Sequence, residues 1–305
     1  MDETGDAGGA PLVVLDGGLA TELEARGHDL SGSLWSARML ADAPDEIVAA
    51  HEAFFRAGAT VAITASYQAS VPGFAAHGLP ESETRRLLRR SVELARQAAE
   101  RVGGGRVAAS VGPYGAYLAD GSEYRGRYGL TARELTAFHR PRMETLAEAR
   151  PDLIALETVP DVDEAAALLA ALDAVDVPAW LSYTVAGGRT RAGQPLEEAF
   201  AVAAGDDRVV GVGVNCCAPD EVVHAVEVAR AITGKPAVAY PNSGHGWDAT
   251  ARQWTGRATF SPAQVSEWIR AGAQFVGGCC RVCPAEIAEI AKIVQEFGTS
   301  PDRGD

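Results

Sequence analysis

The run Leu12-Val13-Val14-Leu15-Asp16-Gly17-Gly18-Leu19-Ala20 is a short apolar strand that breaks into an acid and two glycines. An open dinucleotide-binding sheet carries GxGxxG at this turn, and this run lacks it. Outward from it, short apolar segments recur: Thr60–Thr64, Arg106–Val111, Asp152–Leu156, Ala179–Thr184, Val209–Val214, Ala237–Tyr240 and Gln274–Val276. With Leu12–Leu15 they make eight. They are rich in Val and Ile and mostly unalternated, as strands covered on both faces are. The segments between them read as helices. Leu88, Val92, Ala95, Ala99 and Val102 form one apolar stripe, which Gly103-Gly104-Gly105 ends. Pro44, Pro219, Pro262 and Pro284 stand where helices begin, since proline is tolerated in the first turn. Eight strand–helix units in 305 residues predict an α/β chain folded as a single (β/α)8 TIM barrel over residues 11–298. Residues 1–10 and 299–305 read as tails.

Composition narrows the function. The net charge is −14, with 47% hydrophobic and 22% charged residues. So acidic a chain repels phosphate backbones and anionic lipid surfaces, which argues against nucleic-acid and membrane partners. No apolar run reaches the roughly 18 residues that cross a bilayer. The acidic, Gly-rich start lacks the regions of a signal peptide, so the expected location is the cytoplasm.

In a barrel all strand C-terminal ends meet on one face, where active sites are built. Those ends here are Asp16-Gly17-Gly18, Ser66-Tyr67-Gln68, Gly112-Pro113-Tyr114-Gly115, Glu157-Thr158, Asn215-Cys216-Cys217, Pro241-Asn242-Ser243-Gly244 and Gly277-Gly278-Cys279-Cys280-Arg281. The loop from Gly112 to about Leu130 is long enough to act as a lid.

All five cysteines fall in the last third of the chain, an odd count that argues against a disulfide framework in a reducing compartment. Cys216 ends the sixth strand, and Cys279 and Cys280 end the eighth. Their backbones should lie roughly 10 Å apart, two inter-strand steps, close enough for the side chains to share one ion. Three thiolates select Zn²⁺ over oxygen-seeking Mg²⁺ or Ca²⁺, and they leave a fourth position open. A Cys₃ zinc is formally −1 and a poor activator of water. It can hold an incoming thiol as thiolate, which suits alkyl transfer to sulfur. Cys217 should point away from Cys216 and pack. Using both Cys279 and Cys280 requires the backbone to turn, for which Gly277-Gly278 is suited. Cys283 reads as a surface or helix-start residue.

The chain resembles the homocysteine S-methyltransferase family. The resemblance rests on Asp16-Gly-Gly-Leu-Ala-Thr-Glu-Leu-Glu24, Leu34-Trp-Ser-Ala37, the run from Gly112 to Gly126, Glu157-Thr158, Gly213-Val-Asn-Cys216, Tyr240-Pro-Asn-Ser-Gly244 and Gly277-Gly-Cys-Cys-Arg281. It implies a zinc-dependent barrel that moves a methyl group from a sulfonium, S-methylmethionine or S-adenosylmethionine, to homocysteine, giving methionine. It further implies that Cys216, Cys279 and Cys280 are the zinc ligands and that Asp16 and Glu157 face the ammonium group of homocysteine. Gly17 and Gly18 would approach the amino-acid end of homocysteine, and Asn215 would order the metal segment. Trp35 and Tyr67 stand as rim aromatics. Betaine-using relatives carry an aromatic directly after the carboxylate that ends strand four; here that residue is Thr158, which has no π face. Cys283 stands where the family usually has threonine, and Gly244-His245 departs from the usual acidic residue. The rival readings are a zinc or redox sensor without turnover and a betaine-dependent methyltransferase.

Overall fold

A computed structural model describes residues 11–30, 35–248 and 253–299. The tail 1–10, and the part of the C-terminal tail from residue 300 on, lie outside them. Eight parallel strands form the central sheet: β1 Val13–Val14, β2 Val61–Ile63, β3 Arg106–Val111, β4 Leu153–Val159, β5 Ala179–Tyr183, β6 Val209–Asn215, β7 Ala237–Tyr240 and β8 Ala273–Val276. Each pairs with its sequence neighbour, and β1 pairs with β8. A parallel bridge between Leu15 and Val61 joins β1 to β2 and closes the barrel. The helices that follow the strands on the outside are α1 Pro44–Arg56, α2 Glu81–Val102, α3 Ala132–Glu148, α4 Val162–Leu172, α5 Leu196–Ala201, α6 Val222–Thr233, α7 Val265–Ala271 and α8 Pro284–Thr299. The expected (β/α)8 TIM barrel is the observed fold.

Local signals explain the boundaries. Pro44 and Pro284 open α1 and α8, and Pro219 and Pro262 open the 3₁₀ turns that lead into α6 and α7. Gly103 ends α2 in the left-handed conformation at φ 92°, where a side chain would be strained. On α2 the stripe Leu88, Val92, Ala95 and Ala99 is buried against the sheet.

Burial falls into two layers. The larger packs helices against the outer face of the sheet and includes Phe54, Leu88, Leu156, Val214 and Cys217. The smaller fills the barrel with Leu15, Val61, Ala108, Ala155, Trp180, Val238, Tyr240 and Phe275. Trp180 plugs the interior beneath the strand ends. Its indole N–H donates to the Tyr240 hydroxyl at 2.9 Å, so a large buried aromatic also satisfies its polar atom. Tyr240 thereby stands upright below the C-terminal face.

Candidate active site

Asn215 is the last residue of β6, and Cys216 follows with φ 47°. This left-handed turn swings the sulfur across the barrel mouth. The Cys279 and Cys280 sulfurs come from the loop after β8. The ligand atoms of Cys216, Cys279 and Cys280 all lie within 4.8 Å of one another. Cys280 Sγ is 3.9 Å from Cys216 Sγ and 4.0 Å from Cys279 Sγ. Cys216 and Cys279 are paired as a disulfide, with Cα atoms 5.7 Å apart, well under the inter-strand estimate because both loops fold inward. The pairing joins the end of β6 to the loop after β8 within the sulfur cluster.

The loop after β8 is laced to the loop after β1. Gly278 N–H donates to Asp16 O at 3.1 Å, Gly18 N–H to Val282 O at 2.9 Å, and Arg281 N–H to Thr21 Oγ1 at 2.9 Å. Neither Gly277 nor Gly278 has positive φ; Arg281 does, at 63°. The glycines serve close approach instead, since a Cβ on Gly277 would stand 2.7 Å from Leu15 Cβ. The turn that brings both cysteines into the cluster is therefore built by packing against β1, not by glycine's conformational freedom as the sequence suggested.

The donor set fits a soft dication. Burial, and after it the charge of Glu157, push the Cys280 thiol up to about 12, so it does not ionise unaided at neutral pH. A bound cation supplies the charge that ionises such a group. Cys217 is also buried, and burial pushes its thiol up to about 12, but it packs in the outer core away from the cluster. Cys283 opens α8, where its thiol and backbone N–H both bond Glu286 Oε2, at 2.7 and 2.9 Å.

Two carboxylates stand beside the sulfurs. Glu157 near the end of β4 is 6% exposed. Ser110 Oγ donates to its Oε1, and Tyr240 donates to its Oε2 at 3.1 Å. Burial outweighs these two bonds and pushes the carboxyl up to about 7. Asp16 is 1% exposed; its Oδ2 accepts the Ile63 N–H at 2.8 Å, and its Oδ1 is buried with no partner. Burial raises it well above the usual carboxylate range, and Glu157 raises it further. Two such acids sharing one region favour a cation between them.

Glu157 and the three cysteines line a cavity of about 480 Å³ together with Gly17, Gly18, Glu24, Asp29, Tyr67, Gln68, Asp120, Glu123, Tyr124 and Thr158, among others, whereas Asp16 lies behind its wall and is not among the lining residues. Five acids line it, and among the described residues no lysine or arginine does. Tyr67 lies flat on Gly112, where a Cβ would stand 2.6 Å from its ring. Trp35 begins a short helix, Trp35–Asp42, and its side chain lies outside the described residues. His245 contacts Ser243 Oγ through Nδ1 at 2.7 Å, and the Ser243 N–H donates to Cys280 O at 2.9 Å. His245 thus reaches the Cys279-Cys280 loop through one intermediary.

Asn215 does not bond the cysteine segment. Its Oδ1 accepts from Thr158 N–H at 2.6 Å and Ser182 Oγ at 2.9 Å, and its Nδ2 donates to Thr158 Oγ1 at 2.8 Å. It orders the end of β4 rather than the cysteines themselves. Sequence reasoning also missed Ser110 and Tyr240, which bond Glu157, Ser182, which bonds Tyr240 and Asn215, and Glu123 and Tyr124. Only strand alternation places the first three inside the barrel, and nothing local marks them as functional.

A homocysteine S-methyltransferase family model matches residues 13–294. A homocysteine S-methyltransferase of Escherichia coli K12 is 46% identical over 292 residues, covering 92% of this chain and 94% of that protein. The homocysteine S-methyltransferase YbgG of Bacillus subtilis is 41% identical over 304 residues, 95% of this chain and 96% of its own. The crystal structure of the homocysteine methyltransferase MmuM from Escherichia coli in its metallated form superposes with a TM-score of 0.83 at 44% identity, covering 92% and 96% of the two chains. Its oxidised form superposes with a TM-score of 0.84 over the same shares.

Proposed function

Starting from the fact that this chain belongs to the homocysteine S-methyltransferase family, we propose how its residues divide the work of moving a methyl group to homocysteine. Cys216, Cys279 and Cys280 hold one zinc ion, and the observation that carries this is their three sulfurs within 4.8 Å at the floor of an acid-lined cavity. Zinc held there would supply the positive charge that favours the thiolate form of an incoming thiol at neutral pH while its sulfur stays nucleophilic. The three cysteines must be reduced to serve, which assigns the protein to the reducing cytoplasm.

Asp16 and Glu157 take the ammonium group of homocysteine. Ser110 and Tyr240 fix the Glu157 carboxylate in place, and Asn215 fixes the backbone that follows it. Gly17 and Gly18 leave room for the amino-acid end. The donor is a sulfonium, S-methylmethionine first and S-adenosylmethionine second, and it sits toward Tyr67 and the acidic rim, with Trp35 as a further rim aromatic. The homocysteine thiol gives its proton to water. Its sulfur then bonds the donor methyl carbon as the carbon–sulfonium bond breaks, and the electron pair stays on the departing sulfur. A neutral thioether leaves, so no general acid is required. The protein aligns two substrates and excludes water.

The test is to incubate the zinc-loaded protein with backbone-labelled homocysteine and, in turn, unlabelled S-methylmethionine, S-adenosylmethionine or betaine. The expected result is labelled methionine chiefly with S-methylmethionine. Labelled methionine formed chiefly with betaine would overturn the donor assignment and the weight placed on Thr158.

A further inference from the structure

The loop between β3 and α3 carries Glu123 into the cavity on a 3₁₀ turn, Ser122–Tyr124. This turn is held firmly. A Cβ on Gly115 would stand 2.6 Å from the Ser122 carbonyl carbon and 2.7 Å from Glu123 Cα, so the two limbs of the loop touch backbone to backbone. Asp120 Oδ1 accepts the Ser122 N–H at 2.9 Å, and Ser122 O accepts the Arg125 and Gly126 N–H groups at 3.0 and 2.9 Å. The loop's start is fixed from outside the barrel. Glu164 Oε1 accepts the Tyr114 N–H at 2.5 Å and contacts His139 Nε2 at 2.9 Å, while Arg142 donates to Gly112 O. Glu164, His139 and Arg142 are all buried. Its far end is fixed by Asp161, which accepts the Arg127 N–H at 3.1 Å.

Four other acids line the cavity, and each differs from Glu123. Glu24, Asp29 and Asp120 are exposed at the rim, and Asp120 already accepts from Ser122. Glu157 has both oxygens bonded. Glu123 is half-buried, and its Oε2 is shut off from solvent with no hydrogen-bond partner. Burial raises its carboxyl above the usual range. The nearby N–H groups of Glu123 and Gly121 favour the ionised form without pairing with Oε2. An oxygen so placed is costly to ionise, and a positive charge held nearby in the cavity lowers that cost without touching it. Tyr67 and Tyr124 line the same wall, and the Arg191 guanidinium stacks over Tyr124 at 5.3 Å, which holds that ring in place. Carboxylate and ring faces together suit a compact, methylated, weakly hydrated cation.

We propose that Glu123 is the residue that receives the sulfonium centre of the methyl donor, and that it sets the preference for charged over neutral donors. This rests on the sulfonium reading above. The carboxylate then holds the donor sulfur near a rigid loop while homocysteine is held at Glu157 on β4. Its contribution is to donor binding and alignment.

The test uses the full-length zinc-loaded enzyme, Glu123→Gln and Glu123→Asp. Trimethylsulfonium has no amino-acid group and therefore reports on the cation subsite alone; it is titrated by calorimetry with homocysteine absent, so no turnover occurs. The KM values for S-methylmethionine and homocysteine are measured alongside. In Glu123→Gln, trimethylsulfonium affinity should fall and the S-methylmethionine KM should rise, each by about 10- to 100-fold. The homocysteine KM and zinc content should stay within about twofold, since Glu157 and the three sulfurs are held by other contacts. Glu123→Asp keeps the charge and should recover part of the loss, which a merely structural role would not predict. Unchanged trimethylsulfonium affinity in Glu123→Gln, or a parallel rise in both KM values, would overturn the role of Glu123 while leaving the sulfonium reading intact. A wild-type enzyme that yields no methionine from any sulfonium would overturn both.

Discussion

Asn215 grips Thr158 with both ends of its amide, accepting the Thr158 N–H at 2.6 Å and donating to Thr158 Oγ1 at 2.8 Å. Thr158 sits at φ 58°, a left-handed conformation that costs a β-branched residue about 1–3 kcal/mol. The register of β4 against β5 shifts between Leu156 and Val159, so the strand bulges there, beside the Glu157 carboxylate in the cavity wall. A buried amide on β6 thus holds a strained turn on β4, and the turn fixes the residue proposed to bind homocysteine.

Asn215→Ala leaves the Thr158 N–H and the Ser182 hydroxyl without their acceptor, both of them buried. The expected loss is about 2–4 kcal/mol of stability, read as a lower denaturant midpoint. With the turn released, the homocysteine KM should rise at least about tenfold by the usual cost of misplacing a binding group. A variant with wild-type midpoint and KM would show that the grip is incidental.

Glu157→Gln should weaken homocysteine binding by about 1.5–3 kcal/mol, the value of a charge-assisted contact, and leave zinc in place. The carboxyl is pushed up to about 7 by burial, and only its ionised form attracts an ammonium. Affinity of the wild type for methionine, which has the ammonium but no thiol to titrate, should therefore climb as pH rises from 6 to 8. Glu157→Gln should show a smaller climb across that range, since Asp16 alone then remains to titrate. Calorimetry at both pH values reads the difference, and a flat wild-type profile would remove Glu157 from the ammonium site.

The same group makes a stability prediction of opposite sense. A carboxyl raised from 4.5 to about 7 by folding favours the folded state below pH 4.5, and that contribution is lost as pH rises through 7. Above pH 8 the folded protein bears the full cost of a buried charge. Glu157→Gln should be the more stable protein at pH 8, by an amount on the order of 2–4 kcal/mol, and no more stable at pH 4.5. Thermal midpoints at the two pH values decide it; equal midpoints at pH 8 would show that Ser110 and Tyr240 already offset the burial.

Gly18→Ala should damage the metal site from a distance. A Cβ there would stand 2.7 Å from Cys279 O and 2.8 Å from Thr21 Oγ1, and the carbonyl it strikes belongs to a proposed ligand. Zinc affinity should fall at least about tenfold, as changes behind a first ligand shell do, while the circular dichroism spectrum stays that of the barrel. Undiminished zinc affinity would mean that the loop yields elsewhere.

The sequence carried most of the architecture because the strands of a parallel barrel are buried on both faces and read as apolar runs, and because Pro44, Pro219, Pro262, Pro284 and Gly103 mark helix boundaries locally. The sulfur cluster was legible for the same reason: once Cys216 and Cys279-Cys280 sit at strand ends, topology brings them together. What hid was set by contacts between distant segments. Asn215 neighbours Cys216 in sequence, so it was assigned to the metal segment, yet it serves Thr158, 57 residues away. Glu123 lies on a long loop, and its approach to the cavity depends on Gly115 touching Ser122 and on a buried cluster at Glu164, neither of which any local pattern announces. Gly277 and Gly278 look like conformational hinges in the sequence, but Gly277 lets β1 come close and Gly278 makes room for the Val282 side chain.

The account turns on three sulfurs sharing one ion, and the most direct measurement is zinc content by mass spectrometry, taken together with methionine formation, across the wild type and four cysteine variants. The wild type and Cys217→Ala should each hold one zinc per chain and form methionine from S-methylmethionine. Cys216→Ala, Cys279→Ala and Cys280→Ala should each lose zinc and activity together, because two thiolates make a weak, misshapen site. Full zinc in any of these three variants, with the protein folded, would contradict the assignment.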